Sequence, residues 1–143
     1  VGTPIIVNVT GGLQDQCGFK NDKGEYLTAD DYVELGSNHR GKYKEHGEWV
    51  KPVFPSNISL QGSPLTPYIF DDRCRFDDAG EQIKEWYNEG DEKRKQAGLK
   101  GHEFVKSPES MLSSKSMCQN FIDHMDVGFD EFKPRKRFSI FKG

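Results

Sequence analysis

The chain opens on Pro4-Ile5-Ile6-Val7-Asn8-Val9, a nearly continuous β-branched apolar run that halts at Thr10-Gly11-Gly12. A run this short, with no polar alternation, predicts a buried parallel strand ending in a tight glycine turn. Farther on, Trp49 to Pro55 joins aromatic and aliphatic side chains to prolines, the mark of an extended segment docked on the body. Tyr68-Ile69-Phe70 predicts a second strand, and after Asp71-Asp72 the apolar period changes from extended to helical. Asp78 with Glu81 has the spacing of a helix cap, Ala79, Ile83, Trp86 and Tyr87 then fall on one face, and Asn88-Glu89-Gly90 ends that helix. Asp91 can cap another as far as Phe104, weakened at Gly98 and Gly101 by roughly 1 kcal/mol each relative to Ala. Ser107-Pro108-Glu109 supplies an N-cap, a first-turn proline and an acid, and opens the longest periodic stretch. Along it Met111, Cys118, Phe121, Ile122, Met125 and Phe129 form one apolar stripe, which must cover a core or a partner, and a core is the commoner use. Pro134 stops this helix, ahead of the extended apolar end Phe138-Ser139-Ile140-Phe141.

Between Asp15 and Pro67 no period is sustained, which makes residues 15–67 a long, partly ordered inserted loop. The expected organisation is therefore one domain over residues 1–143. It comprises a strand and Gly-Gly turn (1–14), the insertion (15–67), a strand with three helices (68–132) and a basic-aromatic tail (133–143). The class is α/β, with two or more parallel strands.

Composition narrows the chemistry. With 34% hydrophobic and 30% charged residues the core should be modest, while ten Phe, five Tyr and two Trp argue for a folded chain. A net charge of -3 provides no field for nucleic acid, and the basic residues near the end (Lys133, Arg135, Lys136, Arg137, Lys142) read as a solvated terminus. No apolar run is long enough for a membrane span or the core of a signal peptide, so a cytoplasmic protein is expected. Cys17, Cys74 and Cys118 lie far apart and read as free thiols; Cys17, without a paired histidine, reads as inert. His39, His46, His102 and His124 have no ligand spacing with Cys and read as solvated. Asp71-Asp72 and Asp77-Asp78 resemble paired carboxylates for metal or acid/base work, but acids between a strand and a helix are more often caps.

The segment Gly2-Thr3-Pro4-Ile5-Ile6-Val7-Asn8-Val9-Thr10-Gly11-Gly12-Leu13-Gln14-Asp15 resembles the G-T-P, apolar strand, T-G-G-L-x-D stretch of GT-B glycosyltransferases of the glycogen-synthase-like kind. The later pieces follow in that family's order. Tyr68-Ile69-Phe70-Asp71 is similar to its G-F-L-F-D strand, residues 78–88 to its A-L-A-x-A-I helix, and Asp91 to Gly98 to its R-x-x-x-G-x-x-G helix. The likeness covers most of residues 2–105.

What it implies is a partial Rossmann-like, C-terminal half-domain of an enzyme that moves a sugar from a nucleotide-sugar donor to a glycan or other acceptor hydroxyl. In that family the acidic donor-holding segment and the acceptor domain come before the counterpart of Val1, so this chain is expected to be a fragment, inactive alone. The resemblance implies no metal and no cofactor beyond the nucleotide-sugar substrate, and assigns no catalytic residue here. Thr10, Gly11, Gly12 and Leu13 would line the donor side of the cleft. A strand ending in Gly-Gly lets backbone approach a ligand, and an open α/β sheet binds beyond the carboxyl ends of its strands, where Thr10–Leu13 and Asp71–Arg73 would both sit. The alternative is a non-catalytic binding or assembly module, with Trp49, Phe54 and Tyr68 as an aromatic contact surface. Unpaired strand edges further imply a homo-oligomer.

Overall fold

The computed structural model describes residues 1–28, 31 and 38–135, and the protein is mixed α/β. The first apolar run is strand β1 (Ile5–Asn8), paired in parallel with β2 (Val50–Val53), Ile5 opposite Val50 and Asn8 opposite Val53. The ladder continues at both ends, where Ile5 N donates to Trp49 O and Val9 N to Val53 O, each at 2.9 Å.

A parallel pair was expected, but its partner is different. Tyr68-Ile69-Phe70 lies in β4 (Thr66–Arg73), which runs antiparallel to β3 (Asn57–Ser63) in a separate hairpin. The partner of β1 comes instead from the docked Trp49–Pro55 segment. Residues 15–67 are thus no mere insertion: they hold the last three residues of a seven-residue 3-10 helix (Gly11–Cys17), all of β2 and β3, and much of the core. The physical reason is that a strand of four residues leaves too short a pattern to be told from a loop.

The helical expectations fare better. Helix α1 (Phe76–Lys106) is broken at Gly90, whose φ of 81° and ψ of 167° are non-helical, so two helical segments meet where Asn88-Glu89-Gly90 predicted an end and Asp91 a start. Asp77 and Asp78 lie in its first turn, and Arg75 occupies the cap position without a side-chain bond. Ser107-Pro108-Glu109 yields only a 3-10 turn (Pro108–Ser110), because Met111 enters the left-handed region at φ 54°. The last helix, α2 (Ser114–Glu131), starts later, where Ser113 Oγ accepts from Ser116 N at 3.1 Å. It buries no residue, so the apolar stripe does not cover this chain's core.

That core gathers Val7, Val9, Cys17, Phe19, Tyr43, Trp49, Val50 and Phe104. Trp49 is its hinge piece. Its indole stacks on Phe104 with ring centroids 4.6 Å apart, and its Nε1 donates to Gln16 O at 3.0 Å, so one side chain ties β2, the 3-10 helix and α1 together. The second half of α1 approaches closely because Gly98 and Gly101 carry no side chain. A Cβ at Gly98 would stand 2.0 Å from Gly2 O, and one at Gly101 2.7 Å from the Trp49 ring. The glycines that weaken this helix in isolation are the ones that let it pack. In its first half, Trp86 is buried and its Nε1 donates to Ile5 O at 3.3 Å, while Lys51 of β2 reaches Glu85 and Glu89 at 3.0 and 2.7 Å. In the tail, Lys133 and Arg135 are exposed; Lys136, Arg137, Lys142 and the Phe138–Phe141 run lie outside the described residues. Among the described residues no helix is long and apolar enough to cross a membrane.

Candidate functional site

The glycine turn leaves β1 at its carboxyl end. Thr10 is extended (φ -152°, ψ 146°), Gly11 turns the chain into the left-handed region at φ 45°, and Leu13 N donates to Thr10 O at 3.1 Å to start the 3-10 helix. A side chain at Gly11 would be strained by that φ. Gly12 is different: its backbone lies outside the left-handed range, and the nearest atom to a Cβ built there is Asp15 Oδ2 at 4.0 Å. Nothing among the described residues requires glycine at this position. Gly11 and Gly12 are exposed and Leu13 is 43% exposed, so the turn opens on solvent.

Thr10 is held from a distance. Its Oγ1 donates to Asp72 Oδ2 at 2.5 Å, and the same oxygen accepts from Asn38 Nδ2 at 3.0 Å. The end of β1, the end of β4 and the segment beginning at Asn38 therefore meet at one carboxylate. The two stretches expected at a common edge, Thr10–Leu13 and Asp71–Arg73, do come together through Thr10 and Asp72. The expectation that Asp71-Asp72 serves as a helix cap fails for Asp72, which bonds across the fold.

Beside this junction a cleft of about 370 Å³ is lined by Asn38, Arg40, Phe54, Asn57, Ile58 and Asp72, among others. Asn38 is buried, and its Oδ1 accepts from Arg40 N at 2.8 Å, holding Arg40 at φ 49°. Gln14, also buried, accepts at Oε1 from His39 N at 3.2 Å and donates from Nε2 to Gly11 O at 3.1 Å. The glycine turn is thus buttressed from beneath by a buried polar side chain that also fixes the Asn38–Arg40 segment. Asn38, Arg40 and Gln14 were not singled out from sequence, since a stretch without period offers no signal for them.

The remaining candidates separate. His39 is not solvated: it is buried between Phe19, Tyr43 and Phe54, with ring centroids at 4.3, 5.5 and 5.5 Å. Burial holds its pKa below the ordinary 6.5. Tyr43 N donates to its Nδ1 at 3.4 Å, which leaves the proton on Nε2, an atom with no hydrogen-bond partner among the described residues. Cys17 is fully buried, and burial together with the Asp15 charge pushes its thiol up to about 12, a settled inert group. Of the aromatic contact surface, Trp49 is in the core, Phe54 half-buried, and Tyr68 exposed. Among the described residues no three His, Cys, Asp or Glu side chains gather as metal ligands would.

Compared with protein-family models, with curated proteins and with solved structures, the chain gives no match.

Proposed function

We propose that this chain is the C-terminal part of a nucleotide-sugar-dependent glycosyltransferase, with Thr10, Gly11, Gly12 and Leu13 on the donor side of its cleft. The observation that carries the reading is the Thr10–Asp72 junction, which joins the T-G-G-L turn to the acidic end of the second family-like segment at 2.5 Å. Gly12 adds to it. A glycine demanded by neither its own φ nor its neighbours leaves space above the backbone, and backbone open to approach is what binding a sugar diphosphate through main-chain amides needs. The chemistry is transfer of the glycosyl unit to an acceptor hydroxyl with departure of the nucleoside diphosphate. Fixed donors near the departing oxygens stabilise the charge that develops there.

The test uses the complete polypeptide that carries this chain, assayed for transfer from nucleotide-sugar donors. Replacing Gly12 by Val should lower kcat/KM for the donor by about tenfold or more while the thermal midpoint stays within a few degrees, because the cost falls on ligand approach and not on packing. Unchanged kinetics in the folded variant would reduce the loop to a turn and remove the reading's most specific support.

A further inference from the structure

Two amphipathic elements of this chain present apolar faces that the described residues leave largely exposed. In the β3–β4 hairpin the register sets Leu60 opposite Phe70 and Ile58 opposite Asp72, so Ile58, Leu60, Phe70 and Asp72 share one face, with Ser59, Gln61, Ile69, Asp71 and Arg73 on the other. Ile58, Leu60 and Phe70 are 48%, 58% and 67% exposed. The strands of the hairpin pack chiefly on each other. A lone two-stranded hairpin is marginal in water and calls for a third layer. In α2, Met117, Phe121, Ile122, Met125 and Phe129 form a stripe 43% to 74% exposed, while at 100° per residue Asp123 and Asp130 fall on the opposite side and Asp126 on the flank.

The two faces suit each other. A helix stripe on a sheet face is one of the few ways in which either buries its apolar side. Their lengths match, since 18 helical residues span about 27 Å and the eight residues of β4 about 26 Å. The acid on the hairpin face, Asp72, sits at its end and is held by Thr10 and Asn38, and the helix acids lie outside the stripe. Yet within one chain the two do not meet: α2 buries no residue.

We infer that the occupant of each face is a second copy of this chain, with α2 of one protomer laid on the apolar hairpin face of its partner and the reverse contact made about a twofold axis. One operation covers both faces at once, as an isologous interface does. The five helix and three hairpin side chains, each removing roughly 100 Å² from water, would bury about 800 Å² per protomer, the size of a standard stable interface. The contact borders the cleft lined by Ile58 and Asp72, but it is tested by association and not by sugar transfer, so its failure and that of the glycosyltransferase reading are distinguishable.

Sedimentation equilibrium of the chain should show a dimer that dissociates on dilution. The double substitution Phe121→Asp with Met125→Asp should weaken it by at least about a hundredfold, and so should Leu60→Ser with Phe70→Ser, with far-UV circular dichroism unchanged because all four residues are exposed. The decisive measurement mixes the two variants. Neither variant alone has an intact helix–hairpin contact, but a mixed dimer has one, so mixing should restore association in part. A monomer at concentrations up to about 0.5 mM, loss of dimer in the helix variant only, or failure of the mixture to associate would each overturn the arrangement.

Discussion

Each of the three cysteines sits in a different environment. Cys17 is sealed in the core, its Sγ donating to Leu13 O at 3.6 Å. Cys74 is half-buried and donates to Asn8 Oδ1 at 2.7 Å, and burial, with the charges of Asp78 and Asp72, raises its pKa. Cys118 is exposed on α2. Reactivity follows thiolate fraction and access. We expect an aromatic disulfide reagent at neutral pH, with the chain diluted to monomer, to titrate Cys118 fast, Cys74 slowly, and Cys17 only on unfolding, as peptide mapping of the labelled thiols would register. Fast labelling of Cys17 in the native protein would contradict the packing described. At this scale the sequence was readable for Cys17, whose isolation from any histidine marks it as inert. For His39 it was not, because burial depends on Phe19 and Phe54, which are distant along the chain.

Among the elements, α1 shows how a local cost becomes a tertiary gain. Its break at Gly90 is stabilised by Arg94, which donates from Nη1 to Trp86 O at 2.8 Å and pairs with Asp91, so carbonyls freed by the kink regain a partner. Farther along, Gly98 lies against the backbone of Gly2. Two effects oppose each other in Gly98→Ala. Helix propensity favours Ala by about 1 kcal/mol, whereas a Cβ 2.0 Å from Gly2 O forces the helix away from the segment that leads into β1, at a cost of about 3 kcal/mol. The clash wins, and urea denaturation should show a net loss of roughly 2 kcal/mol. A stabilised Gly98→Ala variant would mean that this helix does not dock where described. The helices and their break were legible because helical period, proline and glycine act within a few residues. The start of α2 was displaced because the backbone at Met111 turns left-handed, which the Ser-Pro-Glu signal does not foretell.

For the whole molecule, His39 links pH to stability. Its folded pKa is depressed, so its contribution is complete above the ordinary value of 6.5 and is lost as pH falls through the folded value, when protonation would place a charge among Phe19, Tyr43 and Phe54 and remove the acceptor for Tyr43 N. Because His39 N also binds Gln14, which supports Gly11 O, acid should loosen the glycine turn together with the core. Thermal unfolding between pH 7.5 and 5 should thus show a falling midpoint, and His39→Leu should flatten that fall. An equally steep decline in the variant would assign the acid sensitivity elsewhere.

By itself the sequence determined the mixed α/β class, the first strand and its glycine turn, the kinked pair of helical segments, and the candidacy of Thr10, Gly11, Gly12 and Leu13. All of these are written in short-range patterns: a β-branched run, a capping signal, a glycine. Only the tertiary structure decided that β1 pairs with Val50–Val53, that Tyr68-Ile69-Phe70 belongs to an antiparallel hairpin, that Asp72 joins Thr10, and that the α2 stripe stays uncovered. The physical reason lies in range. The pairing of Ile5 with Val50 and the bond from Thr10 to Asp72 close long loops, and their free energy comes from burial and hydrogen bonds shared among segments that carry no common local signal.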